Sequence, residues 1–429
     1  MEIDGNRYLP RLIDPVVDLH LRAFGAVEIA GTMWSGKTWT SRAHGKSRVT
    51  FDNKQTRELA ELDVDAVLKG EAPHIVDEWQ EVPQVWDAVR DKVDEAGGKR
   101  GLFILTGSSR PVKGKTHHTG SGRISRLKMW PMALSESGHS GGSVSLSGLF
   151  EGAFESGPVE TDLEQLARLI CRGGWPAAVD LDDDAARIVP GQYLDALFAK
   201  EEEKAPGTER ELRLFLQSLA RNVGSAATLE TLAKDMGLAK KGKVTDADAR
   251  RMSAFLDYFI GRYVVCDLQG WDAPIKSKGR LRTKPKHGFA DPSLPVALLG
   301  TGPEALMGNL QLFGQLFEEL CLRDLRVYAS ALREAQSDPL RYYRDADGLE
   351  VDAIVELRDG RWGGIEVKLG AAKADAAVRN LLRLKRKIAA NPAARNPEPS
   401  FLLVLVGKTD YQYKTPEGVI VAPLTELTA

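Results

Sequence analysis

The period of apolar positions changes several times along the chain, and each change predicts an element. "AVEIAG" (Ala26 to Gly31), "APHIVDEWQ" (Ala72 to Gln80) and "GLFILTGSS" (Gly101 to Ser109) each hold a short, nearly unbroken apolar run, as a buried strand requires. Between the second and third, Val82, Val85, Trp86, Val89 and Val93 recur at helical spacing. Strands alternating with helices predict a parallel sheet that binds its ligand at the C-terminal strand ends. A Gly- and Ser-rich stretch, Ser137 to Gly148, reads as a loop or boundary. Helical periodicity then runs from about Thr161 to Lys204, broken at "RGGWP" (Arg172 to Pro176), where Trp175 reads as a core anchor. From Thr208 to Trp271 the pattern is helix, turn, helix and a β-wing, with Gly237 closing one helix and Thr245 with Asp248 capping the next. The last section reads helix, strand, strand, strand, helix, strand, with turns at Asp347-Gly348 and Asp359-Gly360.

Composition narrows the setting. A chain of 429 residues suggests roughly two to four domains. With a net charge of −2, any surface for nucleic acid has to be local. Cys171, Cys266 and Cys321 lie far apart, without metal-ligand spacing or a disulfide framework, which points to a reducing cytoplasm. The N-terminal "MEIDGNRYLPRLID" has early acids and lacks the apolar core of a secretory signal. No apolar run approaches the ~20 residues of a membrane span. A soluble cytoplasmic protein without a membrane partner is the expectation.

The chemistry begins at "GTMWSGKT", Gly31 to Thr38, which fits G-x-x-x-x-G-K-[ST] between a strand and a helix. Glycines there let backbone N–H groups turn toward phosphate oxygens, and the helix N-terminus adds partial positive charge. Gly31, Thr32, Met33, Trp34, Ser35, Gly36, Lys37, Thr38 and Trp39 are therefore candidate ATP contacts. Lys37 would reach the β- and γ-phosphates, and the Thr38 hydroxyl would ligate Mg²⁺. A chance glycine turn is the alternative, and the following segments argue against it. Asp77 and Glu78 stand at a strand end, where Asp77 can hold Mg²⁺ and Glu78 can orient or deprotonate water. Thr106, with Ser108 and Ser109, ends the next strand, where a polar residue can sense the γ-phosphate.

Six segments in order, "YLPRLID", "GTMWSGKT", "HIVDEWQEVP", "FILTGSS", "SGRISRLKMWPMALSE" and "RGGWPAAV", resemble a large prokaryotic family of AAA-type ATPases with a C-terminal domain of unknown function. The resemblance implies a P-loop ATPase with Asp77 and Glu78 as its Walker B pair. Members often show an arginine near the position of Met33, so this loop is less polar. AAA-type sites are commonly completed by an arginine from a neighbouring subunit, which implies a homo-oligomer such as a hexameric ring. Arg123, matching the family's Gly-Arg pair, and Arg126 are the candidates; a surface arginine paired with a carboxylate is the alternative. His117 and His118 read as loop residues rather than ligands. The segment after Gly148 resembles the helical lid of AAA cores. Residues 207–272 resemble a winged helix, a module that binds DNA or protein.

Two further constellations stand nearer the C-terminus. Lys276, Lys278, Arg280, Arg282, Lys284 and Lys286 fall on every second position, so an extended strand would project all six from one face as a phosphate-binding strip. The alternative is a hairpin whose cations pair with the protein's own acids, and Pro285 argues against a long central strand. Asp352 lies on one predicted strand and Glu366 and Lys368 on the next, the latter two on the same face. Two carboxylates and a lysine there can hold a second Mg²⁺ and polarise water. This set resembles a PD-(D/E)xK nuclease core, with Glu318 or Glu319 as the helix carboxylate, or a retained fold in which the charges only pair.

The expected architecture is α/β: a P-loop NTPase parallel sheet (1–147), a helical lid (148–206), a winged-helix module (207–272) and a PD-(D/E)xK-like domain with the basic strip (273–429). The expected activity is ATP hydrolysis coupled to DNA, with branched or junction DNA as a candidate. The alternatives are an ATP-controlled regulatory or interaction protein and an ATP-dependent endonuclease.

Overall fold

The structure, a computed structural model, describes residues 2–3, 5–110, 120–199, 205–225, 227–239, 243–274, 276–277 and 279–429. His117, His118 and Lys278 lie outside the described residues, as does the Arg282 side chain. The chain divides into two compact units, Met1–Pro131 with Gly261–Tyr263 and Met132–Ile260 with Val264–Ala429. No helix among the described residues is long and apolar enough to cross a membrane.

The first unit is built around strands whose apolar runs the sequence foretells. In chain order they are β1 (Ala26–Ala30), β2 (Ser47–Thr50), β3 (His74–Asp77), β4 (Phe103–Gly107) and β5 (Ile124–Lys128). Among the described residues they form one sheet in the order β2-β3-β4-β1-β5, every pairing parallel. β1, β3 and β4 are buried along their whole length, as strands covered on both faces must be. Helix α1 (Asp14–Ala23) precedes β1, and α2 (Lys37–His44), α3 (Lys54–Leu62) and α4 (Gln84–Glu95) lie between successive strands. α4 buries Val85, Trp86, Val89 and Val93, the helical stripe seen in the sequence, and Trp86 packs 4.7 Å from Trp79.

The second unit begins where Met132 donates its N–H to the Gly174 carbonyl at 2.7 Å and Leu134 donates to Asp324 Oδ2 at 3.0 Å. These bonds tie Met132 and Leu134 into the second unit, which starts at Met132. Helices α5 (Leu163–Arg172), α6 (Asp183–Ala199), α7 (Glu209–Arg221), α8 (Leu229–Asp235) and α9 (Asp246–Gly261) follow. Trp175 is fully buried and stacks on Tyr193 with ring centroids 4.7 Å apart. Gly174 has no room for a Cβ, because the Met132 carbonyl and the Arg323 guanidinium already fill that space.

Then come β6 (Val265–Trp271), β7 (Lys286–Phe289), α10 (Leu310–Ala331), β8 (Ala335–Arg344), β9 (Glu350–Leu357), β10 (Trp362–Gly370), α11 (Ala374–Ala389), β11 (Phe401–Lys408), β12 (Tyr411–Lys414) and β13 (Ile420–Pro423). They form a mixed sheet in the order β7-β6-β8-β9-β10-β11-β13-β12, closed by the short strand Gly157–Pro158. Two expectations are corrected here. β6, expected as the β-wing of a winged helix, pairs antiparallel with β7 but also parallel with β8, so it is a member of this larger sheet. The basic segment is not one extended strand: Gly279–Arg282 is a helical turn, and the strand starts only at Lys286. Alternation along a strand therefore does not set where its cations point.

Charge burial is heavy in this unit and is compensated locally. Arg323 is 2% exposed and lies 2.9 Å from Asp291 and 2.7 Å from Asp324, both fully buried. A lone buried charge would be costly, so these three side chains stand or fall together.

In the first unit, His44 at the end of α2 offers Nδ1 to Asp18 at 2.7 Å and Nε2 to Asp14 at 3.2 Å, fastening α2 to α1. Burial alone would lower its pKa, but the Asp14 hydrogen bond and the Asp18 and Asp14 charges raise it above the usual value. A raised histidine pKa gives stability that is present below the unfolded value of about 6.5 and lost as pH rises through the folded value. His44→Gln should therefore lower the urea midpoint clearly near about pH 5.5 and much less near about pH 9, by roughly 1 kcal/mol at most. An equal loss at both pH values would show that packing, not charge, fastens the helices.

Candidate functional site

The phosphate loop follows β1 because Gly31 can pass where no other residue could: a Cβ there would collide with the Met129 carbonyl. The loop turns through Trp34 at φ 60° and Gly36 at φ 97°, both left-handed, and α2 starts at Lys37. Only glycine adopts such a φ without cost, which is the local reason for Gly36. The Trp34 ring is 44% exposed at the loop's apex. Inside the loop, Ser35 Oγ and Lys37 Nζ both donate to the Thr32 carbonyl, at 2.9 and 2.8 Å. Arg11 supports it from beneath, donating to the Ser35 carbonyl at 2.7 Å and the Trp130 carbonyl at 2.9 Å. Arg11 belongs to "YLPRLID", and nothing in its sequence spacing marks it as a loop support.

Parallel register brings the second half of the site to the same end of the sheet. Ala30 pairs with Gly107, and β3 ends at Asp77 beside β4. Thr38 Oγ1 donates to Asp77 Oδ1 at 3.1 Å, and Thr106 Oγ1 donates to the same oxygen. Burial raises the Asp77 pKa and the neighbouring Glu78 charge adds to the rise, while the two threonine hydroxyls oppose it. Thr106 also accepts from the Glu78 N–H at 3.2 Å. The Thr106 hydroxyl, expected to sense a γ-phosphate, here bridges the Asp77 carboxylate and the Glu78 N–H.

Glu78 has a left-handed backbone, φ 56° and ψ 45°, an uncommon conformation for a non-glycine residue. Ser108 Oγ donates to Glu78 Oε2 at 2.7 Å, and Gln80 Nε2 donates to the same oxygen and to Ser108 Oγ at 3.2 Å. These two side chains aim the carboxylate. Gln80 was missed in the sequence because it lies past the motif; only the turn after Glu78 brings it back.

Arg123 stands elsewhere. Ala26 donates its N–H to the Arg123 carbonyl at 3.0 Å, so Arg123 is at the N-terminal end of β5, the end away from the phosphate loop. Its Nε donates to Asp94 at 2.7 Å, and the side chain is 45% exposed. Arg123 is thus in no position to serve the nucleotide of its own chain. Arg126 is held by the buried Glu28 at 2.9 Å and lies over the Trp86 ring.

The second constellation also assembles. Lys368 Nζ donates to Glu366 Oε2 at 2.6 Å and lies 3.4 Å from Asp352. Asp352 Oδ2 accepts from the Val367 N–H at 2.8 Å, and Asn380 on α11 donates to Glu366 Oε1 at 3.3 Å. Burial first, then the Asp352 charge, raises the Glu366 pKa; the same causes raise that of Glu318 on α10. Lys286 joins from β7, 2.5 Å from Glu350 and 3.8 Å from Glu318. Among the described residues, no group of three or more His, Cys, Asp or Glu is arranged to hold a metal ion. The carboxylates share lysine ammonium groups at the place where the sequence leads one to expect a second Mg²⁺, at Asp352 and Glu366 with Lys368 and Glu318.

Two cations of the expected DNA strip are likewise spent internally. Lys286 is 7% exposed, and Arg280 forms a bidentate pair with Glu356, both bonds 2.8 Å. Lys276 and Lys284 keep no ion pair among the described residues, but no strand aligns them.

Residues 24–138 match a family described as an AAA domain. Residues 163–305 match a domain of unknown function, DUF8612, and residues 313–427 match another, DUF4143. No curated protein matches the chain. Among solved structures, the Walker-type ATPase PABY2304 of Pyrococcus abyssi is similar at 11% identity, over 66% of this chain and 94% of its own, with a TM-score of 0.39. The Hef helicase domain of Pyrococcus furiosus is similar at 12% identity, over 94% of this chain and 90% of its own, with a TM-score of 0.21. The AAA match over the strands and loop just described supports an AAA-type, ATP-binding P-loop core in the first unit.

If Glu78 handles the attacking water, Glu78→Gln should keep ATP affinity and lower kcat by about 10²- to 10⁴-fold, the usual worth of a general base. Lys37→Ala should instead lose affinity, read by fluorescent-nucleotide titration. Turnover of Glu78→Gln at the parent rate would remove Glu78 from the catalytic role.

Proposed function

We propose that the first unit hydrolyses ATP to ADP and phosphate and that the second couples this turnover to DNA, with branched or junction DNA as a candidate substrate. The observation that carries the proposal is the convergence of Lys37, Thr38, Asp77, Glu78 and Thr106 at one end of the parallel sheet, with Thr38 and Asp77 oxygens 3.1 Å apart. Backbone N–H groups of Gly36 and the first turn of α2 would cradle the phosphates. Lys37 compensates the β/γ charge. Thr38 and Asp77 are an oxygen pair suited to Mg²⁺, which when bound neutralises charge between the β- and γ-phosphates. Glu78, clasped by Ser108 and Gln80, would orient the water or take its proton. The chain supplies no arginine of its own at that end from β5, so Arg123 would complete the site of a neighbouring copy in a ring.

The endonuclease reading is the weaker one, because Lys368 is already bonded to Glu366 and close to Asp352. An ion-paired core of this kind suits a surface that holds DNA more than one that cuts it. The regulatory reading remains the rival of different class, and stimulation by DNA separates the two. The test is an ATPase assay titrated with single-stranded, duplex and four-way DNA, with particle size measured in parallel. A motor on DNA should turn over faster with at least one of these. A rate indifferent to all three would favour the switch.

The subunit role of Arg123 has its own test. Arg123→Ala should cut hydrolysis while leaving ATP binding near normal, and mixing it with Lys37→Ala protein should restore part of the rate at hybrid interfaces. A protein that stays monomeric at every concentration, with or without ATP, would rule that role out.

A further inference from the structure

With the expected strip dissolved into a helical turn and internal ion pairs, the molecule presents a different row of cations. α11 buries Ala374, Ala377, Leu381, Leu384 and Ile388 against the sheet of the second unit. Arg379, Arg383 and Arg386 are spaced by four and three residues, so they share the opposite face, and all three are exposed. The flanks of the helix are neutralised: Lys387 lies 2.6 Å from both Asp345 and Asp347, and Lys385 lies 3.0 Å from Glu398. The outer row is not. None of the three arginines has an ion pair among the described residues, and Asp375, one turn before Arg379, is not bridged to it. Arg383 donates only to the neutral Asp347 carbonyl, at 3.2 Å.

Helix charges usually form a solvated face balanced by acids one turn away, as Arg213 is by Glu209 and Lys234 by Glu230 in α7 and α8. α11 departs from that pattern by keeping like charges in register, which costs stability through mutual repulsion. Arginine also suits phosphate better than lysine, because its planar fork can give two parallel hydrogen bonds. Arg379 and Arg386 are seven steps apart, about 10 Å of helix, and about three phosphates of one DNA strand fall within that length at ~3.4 Å each. Beside it, Asn380 reaches Glu366 at 3.3 Å, so a strand laid on the row would pass the Asp352–Glu366–Lys368 cluster.

We propose that the Arg379–Arg383–Arg386 face of α11 is the surface on which the second unit holds DNA, by its phosphate backbone and without reading sequence. This rests on the proposed coupling to DNA and names the surface that makes it. The three arginines are binding residues remote from the phosphate loop, so ATP turnover without DNA does not depend on them.

The test uses the full chain and a fluorescein-labelled duplex, with affinity measured by anisotropy between about 50 and 200 mM salt. The triple variant Arg379→Gln, Arg383→Gln, Arg386→Gln should flatten the plot of log K against log[salt] by about 2 to 3, since each phosphate contact contributes about 0.9. Its affinity at low salt should fall by more than tenfold, with the DNA-free ATPase rate and thermal midpoint kept. A control of equal charge change, Arg210→Gln, Arg221→Gln, Arg250→Gln on α7 and α9, should leave the slope near that of the parent. An unchanged slope in the α11 variant, or the same flattening in the control, overturns the assignment while leaving the coupling to DNA intact. Binding of polyglutamate as tight as that of duplex overturns it too, because the face would then accept any polyanion. A parent chain that binds no DNA at any salt overturns both the surface and the coupling.

Discussion

Every group in the nucleotide site depends on the register of β1 with its two parallel neighbours. Ala30 is paired with Gly107 on one side and Lys128 on the other, which brings the ends of three strands level. From that ledge the Gly31 turn departs under the Met129 carbonyl, Asp77 meets the Thr38 and Thr106 hydroxyls, and Ser108 meets Glu78. Because side chains alternate along a strand, a slip of one residue in β4 would turn Thr106 away from Asp77. Asp77 would then be a buried carboxylate with one hydroxyl donor fewer, which is costly. Full burial of β1, β3 and β4 is what makes such a slip unfavourable.

The same register separates two roles that the linear motif order places side by side. Arg123 immediately precedes a strand that pairs with β1, yet it sits at the strand end remote from the phosphate loop. An arginine there can act on a nucleotide only through another copy of the chain. If the proposed ring forms, its hydrogen bond to Asp94 would have to give way, at small cost for a pair this exposed.

In the second unit, buried charge is the organising theme. Arg323 with Asp291 and Asp324, Arg280 with Glu356, and Lys286 and Lys368 with their carboxylates are each closed sets, and closing them removes cations from any external role. Burying an ion without its partner costs several kcal/mol, on the order of the whole margin of stability of a domain. Arginines on the outer face of α11 escape this constraint because the helix buries only its other side.

Local, short-range rules were enough for much of this protein. The apolar runs of β1, β3 and β4, the helical stripe of α4, the phosphate loop with its glycines, and the order of elements from Leu310 to Lys408 are contiguous patterns whose physics is settled within a few residues. So the sequence alone could single out Lys37, Thr38, Asp77 and Glu78, and Asp352, Glu366 and Lys368, as candidates that the fold then places near one another. Pairings across long sequence distances could not. That Arg280 meets Glu356, that Lys286 meets Glu350, that Gln80 turns back onto Glu78, and that Arg11 supports the loop are facts of packing, set by which strands neighbour which. The strip from Lys276 to Lys286 shows the limit: alternation predicts one charged face only if the segment is extended, whereas Gly279–Arg282 forms a helical turn, Arg280 pairs with the buried Glu356, and Lys286 pairs with Glu350. Tertiary structure decided which cations are spent inside the fold and which, on α11, stay at the surface, because an acid can claim a cation only where packing brings the two together.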